Sequence, residues 1–204
     1  FRRSSEAIYY VFDRNSRQLT KVADNKIRVP SFSPNGKELA YVKDNNLYLF
    51  NLQAQNTKQL TFDGVEGSII NGHADWVYEE EFSLVRAYEF NASGSHITYL
   101  KFDESEVPEC SVDVYGQNLY PYQYRFKYPK AGEKNAEVAV HLIDLKSGSD
   151  QKVNLEPQEY TMRIYAKNDA GKMVVQTLNR HQNHLMLHEI DLKSTNSSVL
   201  LEEK

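Results

Sequence analysis

An all-β fold built from repeated antiparallel sheets is what this 204-residue sequence predicts, and three observations predict it. Apolar and polar residues alternate with period two in short runs broken by turn residues. A unit of apolar strand, Asp or Asn, polar turn and outer strand recurs four times. A second unit, two strands around a tight turn, recurs three times between those copies.

The first unit appears where residues 7–12 run into Asp13 and on to 18–20, and where 46–50 run into Asn51 and on to 59–61. It returns where 138–143 run into Asp144 and on to 152–153, and where 185–190 run into Asp191 and on to 199–201. The second unit spans residues 29–42, 87–100 and 162–176, with Pro34-Asn35-Gly36, Asn91-Ala92-Ser93-Gly94 and Asn168-Asp169-Ala170-Gly171 in the turns. Asn and Gly there supply the positive φ that a tight turn needs.

The anchors at 13, 51, 144 and 191 are separated by 38, 93 and 47 residues. A period of roughly 40–50 residues belongs to four-stranded propeller blades. Two alternating hairpin types fit a propeller better than a sandwich of hairpins. The prediction is therefore a partial β-propeller of about four four-stranded blades covering residues 1–204, either a small ring or part of a larger one. The separation of 93 holds either an additional blade or a long insertion. Within it, residues 103–135 are rich in Tyr and Pro and read as an extended arm, where exposed aromatics mark a partner surface.

Composition agrees and excludes some functions. Fourteen Tyr and nine Phe favour half-buried pleated surfaces. A net charge of −4 with no basic stripe argues against nucleic acid as a partner. Cys110 is the single cysteine, so no internal disulfide is expected. No apolar run in this segment approaches a membrane span. The chain opens abruptly, without a leader, and closes on Glu202-Glu203-Lys204, which leads to the expectation of a piece cut from a longer protein.

Residues 71–82 carry the densest chemistry: Asp75-Trp76-Val77-Tyr78-Glu79-Glu80-Glu81, beside the sole tryptophan. Asp75 is placed to cap a short helix, with the glutamates in its first turns, where a helix N-terminus tolerates anions. Successive helical residues diverge by about 100°, so three in a row cannot face one way, although two neighbours can converge on one small cation. Paired carboxylates suit an ammonium, a metal or acid–base chemistry. His73 sits at a poor ligand spacing, and glycoside hydrolysis uses separated carboxylates. A solvated acidic turn is the alternative; the Trp-x-Tyr frame favours a lined pocket.

This segment resembles the Glu-Glu motif of the dipeptidyl peptidase IV family, and other stretches are similar in the same order. Phe1-Arg2-Arg3-Ser4 is similar to the family's aromatic-Arg-x-Ser stretch, and residues 102–108 to its Phe-x-Asp-(Ser/Thr)-Glu-Val-Pro segment. Tyr128-Pro129-Lys130-Ala131-Gly132 matches a Tyr-Pro-Lys-Ala-Gly run, and residues 178–183 resemble a Leu-x-Arg-x-Gln-Asn strand. The resemblance covers nearly the whole chain. It implies an eight-bladed propeller packed on an α/β-hydrolase domain that is absent from these residues. It further implies that Glu80 and Glu81 bind the α-ammonium of a peptide substrate, that Arg2 holds a substrate carbonyl (Arg3 if the register slips by one), and that the arm contributes to a homodimer.

The chemistry agrees with those implied roles. An ammonium presents three donors and one charge, which carboxylates meet with charge-assisted hydrogen bonds. Fixed carboxylates select a free amine over a blocked one, and their distance from a nucleophile sets how many residues leave. All three side chains position a substrate and break no bond. No Gly-x-Ser-x-Gly elbow is present, and His73, His96, His141, His181, His184 and His188 lack a triad context, so no catalytic residue, metal or cofactor is expected in this segment.

The expected function is thus the N-terminus-binding, substrate-gating propeller portion of a serine exopeptidase that removes X-Pro or X-Ala dipeptides. Short loops and a single cysteine lead to the expectation of an exported bacterial protein, periplasmic or outer-surface associated, whose signal lies elsewhere. The competing readings are a stand-alone propeller scaffold for protein binding, which shares the Ser33-Pro34-Asn35-Gly36-Lys37 hairpin, and a prolyl tripeptidyl peptidase relative with a different carboxylate ruler.

Overall fold

The computed structural model describes residues 6–169 and 171–204. It is all-β apart from one short helix. Strand β1 (Glu6–Ala7) is followed by a hairpin of β2 (Tyr10–Phe12) and β3 (Leu19–Lys21). Next come β4 (Ile27–Phe32), β5 (Glu38–Lys43), β6 (Asn46–Asn51) and β7 (Asn56–Gln59), an antiparallel sheet with β1 on its β4 edge. The next sheet takes β8 (Ile69–Asn71), then, after helix α1 (Trp76–Glu81), β9 (Tyr88–Phe90) and β10 (His96–Asp103). A separate two-stranded hairpin follows, β11 (Glu109–Val114) with β12 (Tyr122–Lys127), before β13 (Glu137–Asp144) and β14 (Asp150–Lys152) complete that sheet. The last sheet is β15 (Tyr160–Ala166), β16 (Lys172–Leu178), β17 (Leu185–Asp191) and β18 (Ser197–Glu203), in that order.

This is a partial propeller: three complete blade sheets, preceded by β2–β3 as the outer hairpin of a fourth. The four Asp/Asn-anchored hairpins and the three inner hairpins read from the sequence are all present. The anchors work by one mechanism. The Oδ1 atoms of Asp13, Asn51, Asp144 and Asp191 accept turn N–H groups from Asn15, Ala54, Lys146 and Ser194, each at 2.8 Å. Such local bonds replace ladder partners that a turn lacks. They also hold the Asp13, Asp144 and Asp191 carboxyls below the usual range, because N–H donors favour the charged form. The inner turns use the same device: Asn35, Asn91 and Asp169 accept from Lys37, His96 and Gly171 at 2.9 Å.

The 93-residue separation proves to be two insertions in one blade. Strand β10 pairs with β13 over eight residues, from His96 opposite Asp144 to Asp103 opposite Glu137, so the hairpin β11–β12 leaves and re-enters without breaking that pairing. On the other edge of β10, β8 pairs with residues 101–103 and β9 with residues 97–99. Together they form one inner strand interrupted by residues 72–87. The interruption is clasped at its base. Ala87 N–H donates to Gly72 O at 3.0 Å, while Gly72 and Ala87 each bond Leu100, at 3.1 and 2.8 Å. Gly72 sits at φ +82°, and a Cβ there would lie 2.6 Å from Leu47 Cδ2, so no other residue fits.

The cores lie between successive sheets. Ala40, Val42, Leu47 and Leu49 pack against Tyr88, Phe90, Ile97, Tyr99 and Ile143. Leu100, Phe102, Val140 and Leu142 pack against Met173, Val175 and Ile190. The middle sheet is covered on both faces, so β10 is buried from Ile97 to Leu100 with no solvent-facing alternation. The Tyr88 hydroxyl ties the blades together at the inner edge, its one proton shared between two carbonyls on the first blade, Val29 O at 2.5 Å and Ala40 O at 2.7 Å.

Candidate functional site

The interruption in the inner strand carries α1. Asp75 caps it with extended backbone (φ −73°, ψ −177°), and its Oδ1 accepts from Tyr78 N–H at 2.9 Å. Phe82 and Leu84 N–H groups both donate to Tyr78 O, at 3.2 and 3.0 Å, and Ser83 at φ +55° turns the chain out of the helix.

Tyr78 fixes the helix to its surroundings. It is 1 % exposed and its ring meets Phe82, Phe102 and Tyr160 edge-on, with centroids 5.3, 4.9 and 6.4 Å away. Its hydroxyl accepts from Thr161 N–H on β15 at 2.9 Å, a bond to the next blade. Arg163, also on β15, donates to Phe82 O just past the helix end. Trp76 packs edge-to-face on Tyr128 at 4.4 Å, joining the first turn to the foot of the β11–β12 hairpin.

With the helix pinned this way, rotation along it separates the three acids. Glu79 is 4 % exposed, Glu80 half-buried and Glu81 exposed. Glu80 and Glu81 are thus consecutive residues at the last turn of a clamped helix, the first half-buried and the second exposed. Arg2 and Arg3 lie outside the described residues.

Below the first turn the buried groups are electrically unusual. Asp75 is pushed up to about 6 by burial, the Tyr78 N–H opposing it. Glu104 is pushed up to about 7 by burial and by the negative charges of Asp75 and Glu66. His73 is pulled down to about 4, chiefly by burial, and its ring lies 2.9 Å from both Ala74 O and Asn45 Oδ1. Sequence reasoning missed Glu104, because a carboxylate in the run Asp103-Glu104-Ser105-Glu106 reads as solvated. Its burial comes from three elements meeting around it.

Three of the other histidines have structural partners on neighbouring strands. His141 meets Asp150 at 3.0 Å, His184 meets Glu202 at 2.7 Å, and His188 meets Thr177 at 2.9 Å. Among the described residues no three His, Cys, Asp or Glu side chains converge to hold a metal ion. Cys110 is a free thiol.

Comparison with known proteins places these features in context. The family model described as dipeptidyl peptidase IV (DPP IV) N-terminal region matches residues 1–204. Dipeptidyl aminopeptidase B of Saccharomyces cerevisiae is 30 % identical over 212 residues, covering 100 % of this chain and 26 % of that protein. Prolyl endopeptidase FAP of Homo sapiens is 35 % identical over 147 residues, covering 71 % of this chain and 19 % of that protein. The crystal structure of Porphyromonas gingivalis dipeptidyl peptidase 4 superposes with a TM-score of 0.96 at 34 % identity, covering 100 % of this chain and 29 % of that one. The chain thus spans about a fifth to a quarter of the length of the curated relatives it matches.

Proposed function

The chain belongs to the dipeptidyl peptidase IV N-terminal region family, and from that premise we propose that it is the part of a serine exopeptidase that receives the free N-terminus of a peptide. Glu80 and Glu81 accept the α-ammonium, Arg2 holds a carbonyl of the substrate, and a hydrolase domain elsewhere in the full-length protein cuts after an X-Pro or X-Ala dipeptide. The full-length protein is exported, to a periplasm or outer surface. One observation supports this most directly. The helix bearing the two acids interrupts an innermost strand and is fastened to the next blade through Tyr78 and Thr161. A carboxylate pair held that rigidly acts as a fixed stop for a charged chain end and contributes orientation rather than bond breaking.

The test is selectivity for a free amine. Purified full-length protein is expected to hydrolyse a Gly-Pro chromogenic amide, with kcat/KM for the Nα-acetylated amide lower by at least about a hundredfold. Equal turnover of the two amides, or of neither, overturns the reading.

The same proposal assigns the β11–β12 hairpin to self-association. Its Tyr115, Leu119 and Tyr120 are 77, 87 and 78 % exposed, an apolar surface with no cover among the described residues. Deleting residues 110–127 from the full-length protein is expected to halve the mass measured by light scattering. An unchanged mass removes this hairpin from the interface.

A further inference from the structure

A cavity of about 300 Å³ lies between the first turn of α1 and the foot of the β11–β12 hairpin. Glu66, Asp75 and Glu104 face it, and Trp76, Tyr124 and Phe126 form its aromatic wall. Glu104 is 8 % exposed, and its carboxylate feels neighbouring charges but receives no hydrogen bond among the described residues. Asp75, 7 % exposed, has one oxygen engaged by Tyr78 N–H. Glu66 accepts only a long bond, 3.3 Å, from Asn45 Nδ2.

Three cations line the same cavity, and each has a partner. Arg125 pairs with Glu109 at 3.3 Å and Arg28 with Glu6 at 3.6 Å. Lys127 Nζ donates to Ser105 O and Val107 O at 3.1 and 2.9 Å. With Glu109 the lining holds four carboxylates against these three cations, so negative charge is in excess by one once Asp75 and Glu104 are ionised, in a partly desolvated place where an opposite charge is most strongly attracted. A compact metal ion is a poor match, because these carboxylates do not converge on one point. A flat, extended cation with several donors bridges separated carboxylates, and aromatic rings beside it accommodate both an alkyl stem and the cation's face.

We propose that this cavity binds the guanidinium of an arginine side chain on a peptide, with Glu66, Asp75 and Glu104 as acceptors and Trp76, Tyr124 and Phe126 along its stem. The site is separate from the ammonium-binding role given to Glu80 and Glu81.

Calorimetric titration of the full-length protein with Nα-acetyl-arginine methylamide and with Nα-acetyl-norleucine methylamide tests it. Neither probe has a free α-amine, so the outcome leaves the reading at Glu80 and Glu81 untouched. The arginine probe is expected to bind at least about tenfold more tightly than the norleucine probe, and Glu104→Gln or Glu66→Gln to weaken it about tenfold. Affinity is expected to rise between pH 6 and 8 as Glu104 loses its proton, with Asp75, Glu66 and Glu109 as the facing acids and His73, Arg28, Arg125 and Lys127 as the facing bases. Equal affinity for the two probes, no binding of either, or full arginine affinity in Glu104→Gln overturns the proposal. Glu66 lies on an exposed turn, so Glu66→Gln carries the test if Glu104→Gln fails to fold.

Discussion

Glu81→Gln in the full-length protein is expected to lower kcat/KM for a free-amine dipeptidyl amide by about 10²-fold, and Glu80→Gln by a similar factor. Glutamine keeps the size and an acceptor oxygen while removing the charge. What is lost is the charge-assisted part of a bond to an ammonium already stripped of some water, in the range of about 1.5–3 kcal/mol. The pair acts as one cradle, so the double variant is expected to lose less than the product of the two single losses. Activity on the Nα-acetylated amide, which has no ammonium to hold, is expected to stay where it was. Steady-state kinetics on both amides decide the matter: losses of equal size on the two substrates mean that the glutamates act through general stability.

The second large effect concerns the clamp. Tyr78→Ala is expected to destabilise the propeller by about 3–5 kcal/mol, because it empties a site enclosed by Phe82, Phe102 and Tyr160. Tyr78→Phe isolates the hydroxyl. Thr161 is 3 % exposed, so its N–H loses its acceptor where water has little access, at a cost of about 1–3 kcal/mol. Urea unfolding followed by circular dichroism gives both numbers. A phenylalanine variant as stable as the parent shows that the bond between blades contributes nothing, and the rigid-helix argument falls with it.

The parts of this fold that were legible in the sequence are those made by local bonds. Asp13, Asn51, Asp144 and Asp191 each bind their own turn within three residues, so the pattern shows without any tertiary knowledge. The cap on α1 was legible for the same reason, since Asp75 reaches only to Tyr78. The split inner strand was not. Pairing β8 with β10 joins residues about 30 apart, and residues 69–71 are too short to announce a strand. The neighbouring glutamates were visible as a cluster, but which of them is buried depends on Tyr78 docking against another blade. Glu104 gave no sign at all, because its environment is assembled from β8, α1 and the arm.

The clasp at Gly72, Ala87 and Leu100 has a consequence for how such a protein diversifies. Both ends of the acidic excursion rejoin the same ladder, so a change of length between them leaves the strand pairing in place. A different loop can be grafted between those two residues provided that it refills the site Tyr78 occupies against Phe102 and Tyr160. Recognition can therefore be rewritten in that one insert while the scaffold keeps its register.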